Sequence, residues 1–147
     1  MSHTIVSLLV ALLNTVGTPG LAATRAVGDD IKVDSSRFGR ILVDGHGRTL
    51  YLFTRDRGGK SRCYGACAKA WPPQLAHSDQ LAGDGLDQSK LGTTTRRGGA
   101  KQVTYSGHPL YYYVGDRKPG QILCQNVVEF GGTWLVVSPA GRAVRGG

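Results

Sequence analysis

Leu50-Tyr51-Leu52-Phe53-Thr54-Arg55-Asp56 returns sixty residues later as Leu110-Tyr111-Tyr112-Tyr113-Val114-Gly115-Asp116. The match extends outward on both sides. Gly47 aligns with Gly107 at an offset of 60, Cys63 with Cys124 at 61, and Trp71 with Trp134 at 63. Each half therefore spells strand, glycine turn, Leu-Tyr-x-aromatic strand, Asp, Cys, Trp. Self-similarity at a long period marks one supersecondary unit written twice.

The unit predicts an antiparallel β-hairpin. Gly39 to Val43 runs into Asp44-Gly45-His46-Gly47, and Arg48 to Phe53 returns. Asp-Gly is a strong turn signal because both positions accept φ > 0. In the second copy Lys101 to Tyr105 runs into Ser106-Gly107-His108-Pro109, and Leu110 to Val114 returns. Thr93 to Arg96 reads as a further strand, pairing with Lys101 to Tyr105 across Arg97-Gly98-Gly99. Strand side chains alternate, so Leu50 and Leu52 share one face while Tyr51 and Phe53 share the other. Tyr111 and Tyr113 likewise oppose Leu110 and Tyr112. Apolar groups on both faces suit strands that are covered on both sides. The fold class expected is all-β: two tandem antiparallel hairpin repeats in a small sandwich or barrel-like domain. A short helical turn is expected near Cys63-x3-Cys67, ended by Pro72, with Trp71 and Trp134 as structural anchors. Asp56 and Asp116 sit just past their strands, where a carboxylate can accept from turn N–H groups.

The ends of the chain read differently. Ile5 to Leu13, IVSLLVALL, is too short to span a bilayer and has the length of a signal-peptide core. The expected organisation is a signal peptide over 1–22, cleaved after Ala22, then a polar leader over 23–36. One domain follows over 37–141: repeat one about 37–75, connector 76–92, repeat two about 93–141. A frayed tail closes the chain at 142–147. No lipobox cysteine follows the apolar run, so no lipid anchor and no transmembrane segment are expected. The localisation expected is secreted or periplasmic.

An exported chain favours oxidised cysteines. Two pairings of the three cysteines compete. Cys63–Cys67 closes a short loop and is favoured, with Cys124 left as a free thiol. Cys63–Cys124 would instead join the two repeats at matching positions. A regular helix from Cys63 to Cys67 would hold the Cβ atoms too far apart, so Gly65 is expected to distort it.

Eighteen Lys and Arg against ten Asp and Glu give a net charge of +8, which favours anionic partners. Envelope polymers fit this better than a specific nucleic-acid site. The densest basic spots are Arg55–Arg57–Lys60–Arg62, Arg96–Arg97 and Arg142/Arg145, none of them a tight polybasic block. Cys63, Cys67, Cys124 with His46, His77 and His108 offer soft metal ligands, but not at zinc or haem-attachment spacing. No cofactor or metal is therefore expected. No G-x-S-x-G, H-E-x-x-H or P-loop is present, and no general base accompanies Asp56 and Asp116. No catalytic residue is expected. Tyr111-Tyr112-Tyr113 at strand spacing reads as core and not as a stacking platform.

Tyr51-x-Phe53-x-x-Asp56 and Tyr111-x-Tyr113-x-x-Asp116 resemble the repeated motif of a family of bacterial secreted repeat proteins and predicted lipoproteins of unknown function. Cys63-x-x-x-Cys67-Ala68-x-x-Trp71-Pro72-Pro73, and Gly131-Gly132-Thr133-Trp134, are similar to its cysteine–tryptophan and second-repeat segments. The resemblance implies export and the duplicated fold, and carries no enzymatic activity. Together these readings give the functional expectation: an exported envelope or extracellular protein, non-enzymatic, acting as a binding or interaction module. The alternative is a redox or metal/haem-binding envelope protein that uses Cys and His side chains.

Overall fold

The computed structural model describes residue 20 and residues 30–146. The expected signal-peptide cleavage site lies outside the described residues. The elements are β1 (Ile31–Ser36), β2 (Gly39–Asp44), β3 (Tyr51–Phe53), α1 (Ala66–Ala70), a 3-10 turn (Gln88–Lys90), β4 (Leu91–Thr95), β5 (Lys101–Tyr105), β6 (His108–Pro109), β7 (Val127–Glu129) and β8 (Gly132–Val136). They form three small antiparallel sheets, ordered β1-β2, β3-β8-β7 and β4-β5-β6. The fold is mostly β and sandwich-like, and these sheets do not close into a barrel.

Two apolar clusters lie on opposite sides of the Tyr strands. Tyr51, Phe53, Trp71, Tyr111 and Trp134 belong to one. Leu50, Leu52, Leu110, Val103 and Leu135 belong to the other. This is the alternation expected of strands buried on both faces.

The hairpins pair differently from the sequence expectation. β2 takes its full register from β1, Ile31↔Asp44 to Ser36↔Gly39, and not from the chain that follows it. Residues 31–36 are thus a strand and not part of a polar leader. Their alternation of buried Ile31 with exposed Lys32 and Asp34 is that of an edge strand with one wet face. A two-residue turn closes this hairpin. Ser36 Oγ accepts from Phe38 N at 3.0 Å and donates to Gly39 O at 2.8 Å, and Gly39 takes φ 90°. Past the Asp44-Gly45-His46-Gly47 turn the expected return is short: the Val43↔Thr49 bridge, with Asp44 N donating to Arg48 O and Leu50 N to Leu42 O. The chain then crosses to the other half. Tyr51 and Tyr111 exchange both backbone bonds at 2.9 Å.

The second copy repeats the pattern. β4 pairs with β5 as expected, β6 turns back for two residues, and Tyr111 then meets Tyr51. β3 pairs with β8, Phe53↔Trp134 in register. The counterpart of that pairing joins 70–74 to 110–114: Gln74 N to Leu110 O, Tyr112 N to Pro72 O and Val114 N to Ala70 O. Pro72 and Pro73 have no N–H to offer, so this stretch is a bridge and not a regular strand. The connector is also paired: Ile31 N donates to Leu81 O and Gly83 N to Ile31 O. The tail is not frayed through Val144, whose N–H donates to Val136 O at 3.0 Å while Ser138 N donates to Arg142 O at 2.8 Å.

Candidate functional site

The motif residues meet at the crossing of the two halves. Tyr51 OH donates to Asp116 Oδ2 at 2.5 Å, and Tyr111 OH donates to Asp56 Oδ2 at 2.8 Å. Each tyrosine therefore bonds the other repeat's carboxylate. Each carboxylate also ties down its own cysteine loop: Asp56 Oδ1 accepts from Arg62 N at 2.8 Å, and Asp116 Oδ1 from Leu123 N at 3.0 Å. The Asp backbone closes the strand by a turn, Asp56 N to Phe53 O and Asp116 N to Tyr113 O, both 3.1 Å. That geometry accounts for the Tyr-x-x-x-x-Asp spacing. Trp71 and Trp134 stack at the centre, 4.0 Å apart and 3° from coplanar. Tyr51 meets Trp71 edge-on at 5.2 Å, and Tyr111 meets Trp134 edge-on at 5.1 Å. Phe53 stacks on Trp134 at 4.1 Å and Tyr113 tilts on Trp71 at 4.8 Å. Glu129 serves both indoles, its Oε2 accepting from Trp71 Nε1 and its backbone oxygen from Trp134 Nε1.

Burial raises the Asp56 carboxyl to about 6, against the opposing pull of the Arg62 N–H, the Tyr111 hydroxyl and the Arg96 charge. Burial likewise raises Asp116. Tyr51 and Tyr111 are pushed up first by burial and then by the carboxylates they face. Both oxygens of each carboxylate are thus occupied in holding the fold. The sequence pointed to an Asx turn at each carboxylate; the N–H groups they accept from lie six and seven residues on, in the cysteine-position loops, and the reciprocal phenol–carboxylate exchange was not legible.

The cysteines separate as the shorter pairing predicts. Cys63 and Cys67 form a disulfide with Cα atoms 5.2 Å apart. Gly65, with φ 56°, bends the chain so that α1 begins only at Ala66. Cys124 is free and half-buried; its thiol shares a hydrogen bond with the Tyr113 side chain, and burial pushes it up. His46 is exposed at its turn and His108 is half-buried in β6, where burial lowers it. Among the described residues no three His, Cys, Asp or Glu side chains come together as a metal-holding group.

Beside this core lies a cleft of about 550 Å³ that the sequence did not reveal. Arg55, Lys60, Arg62, Arg96 and Arg97 line it around Tyr64. Two basic spots that are some 35 residues apart in sequence are thereby joined in space. The β4–β5 hairpin tip of repeat two leans on the cysteine loop of repeat one. Arg96 is buried and fixed: Nη1 donates to Ser61 Oγ at 2.9 Å and Gln102 Oε1 at 2.7 Å, and Nη2 to Cys63 O at 2.6 Å. Its guanidinium lies 4.4 Å from the Tyr64 ring centroid and that of Arg97 lies 3.8 Å away. Arg97 N donates to Tyr64 OH at 3.3 Å. Ser61 Oγ is also 2.8 Å from Tyr111 OH, linking the cleft floor to the Tyr–Asp exchange.

The other half holds the matching place. There Arg37, at the β1–β2 tip, donates from Nη2 to Ile122 O at 2.8 Å, as Arg96 does to Cys63 O. The adjoining pocket is about 170 Å³, and its lining includes Asp34, Ile41, Val43 and Ile122, with Arg37 its one cation. The arrangement concentrates positive charge on one side of a frame that is otherwise alike on both. Its evident chemical capacity is attraction and bidentate binding of anions. No sequence signal joins these residues: at the 60-residue period Arg97 aligns with Arg37, and the alignment does not say which loop either tip faces.

A mostly β chain of two like units wound around one aromatic pair defines a repeat protein with a single shared core. The chain belongs to the family described as a secreted repeat of unknown function, whose model matches residues 32–74 and again 92–138. The matches begin inside β1 and β4, so both hairpins belong to the repeats. No curated protein and no solved structure matches the chain. Among the described residues no helix is long and apolar enough to cross a membrane.

Proposed function

We propose that this secreted-repeat protein is a non-catalytic extracellular module that binds anionic partners through the basic cleft. Export uses residues 1–22 as a cleaved leader. The observation that carries the reading is the charge asymmetry between the cleft and its counterpart. Positive charge kept only for solubility has no reason to gather on one of two like surfaces. The non-catalytic character is supported by the occupied oxygens of Asp56 and Asp116.

The test compares Arg97→Glu with the charge-matched Arg37→Glu at the corresponding position of the other half. Fluorescence anisotropy of labelled dextran sulfate should show binding to the wild type that weakens with salt. The cleft variant should lose at least about tenfold in affinity, while Arg37→Glu stays close to wild type. Equal losses in both variants would reduce the cleft to general charge. The intact mass of protein recovered outside the cytosol should begin at Ala23.

A further inference from the structure

We infer that the cleft recognises phosphate groups strung along a flexible, non-aromatic chain, such as a polyphosphate or poly(glycerol phosphate) segment. The inference rests on the binding role proposed above and names the ligand chemistry.

Four of the five cations lining the cleft are arginines, and none of its lining residues is acidic. A guanidinium presents a planar fork that meets two oxygens at once, where an ammonium acts as a point charge. Several forks converging on one small volume repel each other. A tetrahedral oxyanion can answer them from several directions, because its oxygens do not lie in one plane. A carboxylate offers two coplanar oxygens, with their lone pairs in one plane, and answers fewer of them. Arg96 is also preorganised. Its three hydrogen bonds to Ser61, Gln102 and the Cys63 carbonyl hold it, while the Asp56 carboxyl acts on it through its charge and is not one of those three acceptors. Those bonds use three of its five N–H groups. A ligand meeting it freezes no rotamer.

Two further features narrow the chain that carries the phosphates. A cleft of about 550 Å³ is of the size that holds a ligand of many atoms, well beyond one phosphate ion. Tyr64, the aromatic residue of its lining, already has the Arg96 and Arg97 guanidiniums against its ring. Single-stranded nucleic acid binds strongly where bases stack on bare aromatic faces. Here two guanidiniums already stack against the one aromatic ring of the lining, so the phosphate linker is expected to be aliphatic or absent.

The experiment titrates the full chain with medium-chain inorganic polyphosphate, poly(glycerol phosphate), polyglutamate, oligothymidylate and inorganic phosphate, with polymers matched in charge and all at one ionic strength. Polyphosphate and poly(glycerol phosphate) should bind at least about tenfold more tightly than polyglutamate. Inorganic phosphate should bind much more weakly than either polymer, and oligothymidylate no better than poly(glycerol phosphate). Arg97→Lys, at an exposed position, keeps the charge and removes the fork. It should weaken polyphosphate about fivefold or more and leave polyglutamate nearly unchanged. Arg96 is avoided because it also braces Cys63. Polyglutamate binding as tightly as polyphosphate would overturn the phosphate reading while leaving the anion-binding role standing. Tightest binding of oligothymidylate would overturn it in favour of a nucleic-acid surface. Absence of binding to every polymer would overturn both.

Discussion

The basic cleft and its counterpart at Arg37 stand on the same scaffold and differ in most of the charged side chains that line them. Each is floored by a cysteine-position loop and roofed by a hairpin tip whose arginine donates to that loop's carbonyl. One is wide and cationic; the other is small, partly apolar and carries Asp34. Burial explains what is common. The Trp, Tyr and Asp side chains answer to one another inside a close-packed core, and neither half can change alone. The rims answer only to water or to a partner, and there the halves diverge.

The largest effect should come from the shared centre. Trp71→Ala and Trp134→Ala each remove one ring of a fully buried stack and should each lower stability by about 3–5 kcal/mol in urea unfolding. The two losses should be similar although the residues belong to different repeats. A loss confined to one of them would mean that the halves have separate cores, and the comparison would fail at its base.

A smaller effect separates the halves. The Cys63–Cys67 disulfide staples only the cleft side. Replacing both cysteines by serine should cost about 2 kcal/mol on the loop-entropy model for so short a loop. Cys124→Ser should change stability by less than about 0.5 kcal/mol, since the thiol closes no loop. Peptide mapping under non-reducing conditions checks the pairing directly. A Cys63–Cys124 peptide would show the halves to be covalently joined and would reverse the expected ranking.

Much of this was readable from residues 47–56 and 107–116, because alternation of Leu and Tyr reports two buried faces wherever the strand pairs. Their partners were not readable. A hairpin signal such as Asp44-Gly45 shows where the chain turns, and it says nothing of how long the two arms stay together. Here Tyr51 and Tyr111 leave their arms after a few residues, because pairing with each other places both phenols against carboxylates. β1 was missed for a related reason: its exposed Lys32 and Asp34 make a wet-faced strand look like a polar leader. The cleft was hidden because its parts come from both repeats, and charge in a sequence has no address until the chain is folded.

The finest distinction between the halves lies in their paired carboxyls. Asp56 faces the Arg62 N–H, the Tyr111 hydroxyl, Ser61 across that hydroxyl, and the Arg62 and Arg96 charges, whereas Asp116 faces Tyr51, the Leu123 N–H and the Arg48 charge. Burial outweighs these groups and lifts Asp56 from 3.8 to about 6. A carboxyl raised on folding holds its proton more tightly in the native state than in the unfolded chain. Its contribution is therefore complete below about pH 4 and is lost as pH rises through about 6. The stability of wild type relative to Asp56→Asn should fall from pH 4 to pH 6.5 and then stay level, because the amide does not titrate; the amide can accept only one of the two hydrogen bonds, which offsets the whole curve without changing its slope. Urea midpoints at half-unit steps measure it. A relative stability of wild type that instead rises over that range would mean that Arg62 and Arg96 dominate, with Asp56 held ionised by the cations of the cleft, and the buried exchange with Tyr111 would then belong electrostatically to the basic rim and not to the core.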